Sequence, residues 1–194
     1  MAEKPIIFST PMVRAILDGR KTQSRRVIKG DILPGWDQEW QTPCYLKIRD
    51  GKAYGNVIRT PYRPGDVLWI RETFNRMFNR IENKFDYWHK AGNDFEDDYD
   101  ERWRPSIHMP REAARIFLKI TDVRVERLQD ITDEDVLSEG FKMDNPAIFL
   151  KGYQGAFQGL WDSLNAKRGY SWESNPWVWV YSFQRLENYS GGKA

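Results

Sequence analysis

A lysine and a serine three residues apart, set among arginines, are the side chains whose types and spacing could do covalent chemistry. They lie in Gly19-Arg20-Lys21-Thr22-Gln23-Ser24-Arg25-Arg26. Amide hydrolysis needs a nucleophile, a base that activates it, and donors for the oxyanion. Ser24 could supply the first and Lys21 the second. A free lysine is protonated near pH 7 and is no base. Burial and neighbouring cations lower its pKa, and Arg20, Arg25 and Arg26 are the cations at hand. Lys21 and Ser24 differ in strand parity, so on a regular strand they point to opposite faces. They can cooperate only if the backbone turns or bulges between them, and Gly19 makes a distorted entry plausible. The same segment has other readings. Arg20, Lys21, Arg25, Arg26 and Lys29 lie between Gly19 and Gly30 with no acid among them. Such a stretch is either anion-binding or a solvated surface strand.

Composition bounds the function classes. The 194 residues predict one domain carrying insertions. Hydrophobic residues are 40% and charged residues 30%, enough apolar content for a core. Thirty Lys and Arg against 28 Asp and Glu leave a net charge of +2, so only the placement of charge is informative. Asp94, Glu96, Asp97, Asp98, Asp100 and Glu101 form an acidic run, expected as a solvated loop. Near a pocket, that run would repel a long polyanion. Cys44 is the one cysteine, which rules out an internal disulfide framework and a cysteine-rich zinc site. His89 and His108 are too few for a histidine-based metal site, so no metal and no cofactor are expected. No apolar run approaches the ~20 residues of a membrane span, and the first residues lack a secretory apolar stretch. A cytoplasmic location without membrane association is the expectation.

The elements that must position these residues follow from local pattern. Ile6–Phe8 reads as a short strand. Thr10-Pro11 reads as a helix start with the Thr10 hydroxyl as cap, and Gly19 as its end. Lys21–Ile28 is a strand or a turn leading into one. Residues 31–43 read as a loop with a Pro34-Gly35 turn. Tyr45–Ile58 reads as a hairpin around Asp50-Gly51. Val67–Ile70 is a short buried strand after the Pro64-Gly65 turn. Residues 75–104 lack periodicity and read as an insertion. Arg115–Leu128 is a long strand whose apolar phase slips near Asp122, as a bulge or bend requires. Thr132 with Asp135 approximates a capping box, and that helix ends at Glu139-Gly140. Tyr153, Phe157, Leu160, Trp161 and Leu164 form a helical stripe expected in the core. Trp177, Trp179, Tyr181 and Phe183 alternate along a C-terminal strand, mostly core, with one or two free to line a base pocket. Bent strands with few helices predict an α+β fold, a small partly closed β-barrel carrying helices.

The motif from Gly19 to Arg26 resembles the signature of the ASCH family, a branch of the PUA-like β-barrels, Gly-x-Lys-x-x-Glu-x-Arg. Gly19, Lys21 and Arg26 fit it, and Ser24 stands where the acid is usual. This departure brings the segment closer to the small bacterial ASCH enzymes that hydrolyse N4-acetylcytidine, which carry a threonine there. Pro64-Gly65-Asp66 with Val67–Glu72 resembles the family's second strand block, and Leu128–Gly140 its helix block. Trp161-Asp162 and Asn175–Trp179 resemble the ending of larger phage- and prophage-associated members. The likeness spans most of residues 1–194 as a single domain and omits the inserted region.

The resemblance implies a third catalytic member, Glu139, beside Lys21 and Ser24. An independent hint agrees, since a carboxylate in a last helical turn opposes the macrodipole at a cost of ~0.3–1 kcal/mol unless a cation offsets it. An ordinary exposed glutamate is the alternative. Arg20, Arg25, Arg26, Trp69, Arg71 and Glu72 are expected to line a substrate or nucleic-acid site. Glu72 could orient a ligand amine or pair with an arginine of the basic segment, and Trp69 could be core. His108 reads as structural. Three functions follow: an amidohydrolase acting on an N-acylated pyrimidine nucleoside or related modified base, a module binding single-stranded RNA or a modified nucleotide without catalysis, and, last, a ribonuclease. The partner is thus a nucleoside or single-stranded RNA, and no oligomeric state is implied.

Overall fold

The structure, a computed structural model, describes residues 2–39, 41–92 and 103–189. The acidic run from Asp94 to Glu101 lies outside the described residues. In chain order the elements are β1 (Glu3–Ile7), α1 (Thr10–Leu17), β2 (Gln23–Val27), β3 (Ile32–Asp37), β4 (Thr42–Arg49), β5 (Lys52–Arg59), β6 (Val67–Arg71), β7 (Phe74–Asn79), β8 (Lys84–His89), β9 (Phe117–Arg127), α2 (Asp133–Ser138), α3 (Pro146–Asn165) and β10 (Trp177–Arg185). The chain forms two compact units. One comprises Met1–Gly19, Asp66–Lys119 and Gln184–Ala194, and the other Arg20–Gly65 and Ile120–Phe183.

In the first unit β1 lies parallel to β6, and β6 pairs antiparallel with the start of β9, Val67 opposite Lys119 and Trp69 opposite Phe117. Both faces of β6 are covered at Val67, Leu68 and Ile70, which explains its unbroken apolar run. Helix α1 starts one residue earlier than its sequence suggests. Ser9 is the N-cap, Thr10 is already helical, and no side chain caps the entry. Pro11 in the first turn has no N–H to satisfy, which lessens the demand for a cap. Gly19 ends the helix at φ 74°, a left-handed conformation that glycine adopts freely. The stretch expected to be irregular begins with a hairpin instead. β7 and β8 pair from Phe74–His89 to Asn79–Lys84, and Phe74 is anchored on Met109 and Ala113. Its alternation was hidden because Met77, Phe78 and Phe85 are exposed, so no single buried face marks the strands.

In the second unit β2 pairs antiparallel with β10, and β3, β4 and β5 form a separate meander. The β4–β5 turn is Asp50-Gly51, with φ of 52° and 73°, the primed hairpin turn its sequence predicts. Residues 31–43 are not a loop, because β3 occupies Ile32–Asp37 with Pro34 paired to Tyr45. β3 is an edge strand, where a proline is tolerated because one side needs no hydrogen bonds. Ile120 and Val123 are buried while Thr121 and Asp122 between them are exposed, so the apolar phase of β9 slips where its sequence slips. The core gathers Leu128, Ile131, Val136, Phe157, Trp161, Val178 and Val180. Helix α3 starts at Pro146, seven residues before its expected stripe, capped by the Asn145 side chain and kinked at Gly152, φ 72°. Leu160 and Leu164 are exposed rather than core. Of the stripe, Phe157 and Trp161 are buried in the core and Tyr153 packs partly buried against it, so the buried stripe is narrower than the apolar sequence.

The α+β class is as the sequence predicts. Within each unit the described ladders are open sheets, and no ring of hydrogen-bonded strands closes into a barrel. No helix among the described residues is long and apolar enough to cross a membrane.

Helix α2 rests on its cap. Thr132 Oγ1 accepts from Asp135 N at 3.2 Å, and Asp135 Oδ2 accepts from Thr132 N at 3.4 Å. Thr132→Ala is expected to cost about 1 kcal/mol of stability in urea unfolding; an unchanged midpoint would show that the cap is redundant.

Candidate active site

Strand β2 changes partners at its start, and that change assembles the site. Lys21 forms an isolated antiparallel bridge with Glu139, the C-cap residue of α2. From Gln23 onward the strand pairs with β10, Gln23 opposite Ser182, Ser24 opposite Tyr181, Arg25 opposite Val180 and Arg26 opposite Trp179. Cross-strand partners share a face. Gln23 and Arg25 therefore lie on one face with Val180, and Ser24 and Arg26 on the other with Tyr181 and Trp179. The basic segment is no solvated strand, because Lys21, Gln23, Ser24 and Arg25 are all buried.

Lys21 is 2% exposed and Glu139 8%. The Lys21 ammonium donates to Glu139 Oε2 at 2.6 Å, to the Glu139 carbonyl at 3.0 Å and to the Gln23 carbonyl at 2.7 Å. Its three protons thus have three acceptors, and the Ser24 hydroxyl is not among them. The Gln23 carbonyl belongs to the peptide that joins Gln23 to Ser24. The lysine side chain therefore runs along its own strand instead of standing out from one face, and its ammonium lies beside the Ser24 backbone despite the difference in parity. Burial pushes the Lys21 pKa down; the charge and hydrogen bond of Glu139 oppose this, Arg26 and Arg25 add to it, and the net shift is downward.

The pair sits in a larger ionic cluster. Arg25, its side chain 1% exposed, donates through Nη1 to Gln23 Oε1 at 2.6 Å and Glu139 Oε1 at 3.2 Å. Through Nη2 it reaches Glu126 Oε1 and Asp135 Oδ2, both at 2.7 Å. Arg124 closes the cluster on Glu126 Oε2 at 2.9 Å and Asp135 Oδ1 at 2.8 Å. Lys21, Arg25 and Arg124 balance Glu126, Asp135 and Glu139, as groups withdrawn from water require. Burial pushes the Asp135 carboxyl up, but Arg25, Gln23 and Arg124 together outweigh it and hold it below the usual carboxylate range. Arg25 is thereby committed to internal partners. Arg20 donates to the Gly140 carbonyl. Gln23, Glu126 and Asp135 carry no chemical signature in the sequence beyond the cap role of Asp135, and only their convergence reveals them.

The opposite face of β2 is aromatic. Tyr181 is fully buried, its hydroxyl 3.1 Å from Thr60 Oγ1 and its ring 5.1 Å from that of Tyr62. Trp179 stands 5.8 Å from Tyr45 and 6.5 Å from Tyr181. Burial pushes the Tyr181 hydroxyl well above the ordinary phenol range. Sequence alternation singles out Trp179 and Tyr181; Tyr45, Thr60 and Tyr62 carry no comparable signal, since they arrive from a separate sheet and its exit turn.

Trp69, Arg71 and Glu72 belong to the first unit. Glu72, 1% exposed, is held by Arg115 through Oε1 at 3.1 Å and Oε2 at 3.2 Å. Of its two sequence readings the ion pair describes this contact, with Arg115 as the partner in place of an arginine of the basic segment. Arg71 donates to the Ile107 carbonyl and stands 5.7 Å from the Trp69 ring. His108 is exposed, and the His89 ring is 2.8 Å from the Ala113 carbonyl.

Removing Arg25 leaves three partly buried carboxylates facing one another. Arg25→Met is expected to cost about 3–5 kcal/mol, read as the shift in urea midpoint; a change below 1 kcal/mol would deny the cluster its structural weight. The folded-state pKa of Asp135 is depressed, so its contribution is present above the unfolded value of about 3.9 and is lost as pH falls through the folded value. Asp135→Asn is expected to flatten stability against pH below about 4.

No family profile matches the chain, and no curated protein matches it. Among solved structures, an ASCH domain from Lactobacillus crispatus JV V101 is similar at 12% identity over 95% of this chain and 79% of that one, with a TM-score of 0.39.

Proposed function

We propose that this protein is an ASCH-type amidohydrolase that removes the acyl group from the exocyclic nitrogen of an N-acylated pyrimidine nucleoside. One observation carries the reading: a buried lysine ammonium lies 2.6 Å from Glu139 Oε2 and 2.7 Å from the carbonyl of the Gln23–Ser24 peptide. A desolvated lysine paired with a carboxylate, next to the peptide that carries Ser24, suits proton transfer at neutral pH once the serine hydroxyl turns toward it. Neutral Lys21 takes the Ser24 proton as Ser24 Oγ bonds the acyl carbon. The same proton passes from Lys21 to the exocyclic nitrogen as the carbon–nitrogen bond breaks, leaving Ser24 acylated. Water then attacks the ester, giving one proton to Lys21, which returns it to Ser24 Oγ as the acid leaves. Glu139 stabilises the ammonium in each half-reaction.

A second reading is recognition of a modified nucleotide without catalysis. It is favoured by the full occupation of the three Lys21 protons and by the even balance of charge around Arg25.

The experiment is release of cytidine from N4-acetylcytidine, followed chromatographically. Ser24→Ala and Lys21→Met are each expected to lower kcat/KM by about 100-fold or more. Lys21→Met leaves Glu139 paired with Arg25, so Lys21→Met with Glu139→Gln is the charge-balanced control, its fold checked by circular dichroism. Because the Lys21 pKa is lowered, its base form accumulates as pH rises, at values below the ~10.4 of a free lysine. Activity should therefore climb along a limb below that value. Unchanged turnover in Ser24→Ala and Lys21→Met ends the hydrolytic reading, and tight binding with no turnover favours the second.

A further inference from the structure

The outer half of the β4–β5 hairpin carries one charged and aromatic face. Lys47 is opposite Tyr54, and Arg49 opposite Lys52, so these four side chains point the same way. The Arg49 guanidinium stands 4.9 Å from the Tyr54 ring centre, in cation–π range. All four residues are exposed. Among the described residues none of Lys47, Arg49 and Lys52 takes part in an ion pair. The turn contributes one acid, Asp50, so residues 45–54 carry three cations against one anion. Strand parity also ties this face to the aromatic row. Tyr45, two residues before Lys47 on the same face of β4, packs 5.8 Å from Trp179. The face thus begins at the buried rings and continues outward as cations about 7 Å apart along the strand.

We infer that this hairpin is a backbone-binding finger for a single-stranded nucleic acid, so that the base the protein acts on is carried by an oligonucleotide rather than a free nucleoside. The inference rests on the proposed function for the identity of the base alone. Cations in a row on an extended ribbon supply a sequence-independent grip on phosphates. An exposed tyrosine held flat by a guanidinium offers a stacking platform to any base. An acidic polypeptide would use the cations and leave both Tyr54 and the aromatic continuation unused, which favours nucleic acid.

The test is fluorescence anisotropy with labelled pyrimidine 10-mers, ribo- and deoxyribonucleotide, across a salt series. Wild-type protein should bind with a steep salt slope. Lys47→Ala/Arg49→Ala/Lys52→Ala should flatten the log–log slope by about 2, at ~0.7 per neutralised phosphate on a single strand. Tyr54→Ala should weaken binding by roughly 5-fold or more with the slope retained. The four side chains are exposed, so the variants should fold, which circular dichroism checks. In the triple variant, cytidine release from free N4-acetylcytidine should stay at the wild-type rate. Unchanged oligonucleotide affinity and slope in the triple variant overturn the inference, as does equally tight binding of polyglutamate. Loss of nucleoside hydrolysis as a wild-type activity, with finger-dependent binding intact, removes the catalytic reading and leaves the finger standing.

Discussion

A guanidinium held away from water at the centre of three carboxylates is the constraint on which the second unit depends. The Arg25 side chain is 1% exposed, and it reaches Glu126, Asp135 and Glu139 at once. Dehydrating such a group costs several kcal/mol before any attraction is counted. Each acceptor must therefore be delivered at a definite place. Glu126 comes from the end of β9, Asp135 from the first turn of α2, and Glu139 from that helix's C-cap. A six-residue helix has little stability of its own. Here it is pinned at both ends by the same arginine, with the Thr132 cap setting its start and the Lys21 bridge its finish.

That arrangement gives β2 two faces of opposite character. One is ionic and lies under the Phe157 ring, 5.9 Å from the Arg25 guanidinium. The other is aromatic and includes the fully buried Tyr181. Strand β10 mirrors this, since Val178 and Val180 serve one core and Trp179 and Tyr181 the other. Lys21 belongs to neither face. Its side chain follows the strand to the peptide before Ser24, so its charge can bear on groups of both.

Local chemistry was legible from residue order where it depends on two or three neighbours. Asp50-Gly51 turns a hairpin, Gly19 ends a helix, Thr132 and Asp135 cap one, and the apolar slip in β9 falls between Ile120 and Val123. Errors arose where a distant partner overruled a local signal. Pro34-Gly35 looks like a turn but lies in β3, because pairing with β4 supplies hydrogen bonds the edge strand needs on one side only. The β7–β8 hairpin carries no alternating signal because its strands keep apolar residues exposed. Leu160 and Leu164 extend an apolar stripe that no facing groove receives.

The sequence by itself determined that a lysine, a serine and several arginines would share one short segment at the entry to a strand, that a glutamate would end a helix without a basic residue of its own, and that the chain would mix strands with few helices. It could not say which of those cations would be free to meet a ligand. Only the tertiary structure decided that Lys21 and Arg25 turn inward to Glu139 while Lys47, Arg49 and Lys52 remain on the surface. The reason is physical: the character of a charge in a protein depends less on its identity than on how much water it keeps, and water is excluded by residues more than a hundred positions away.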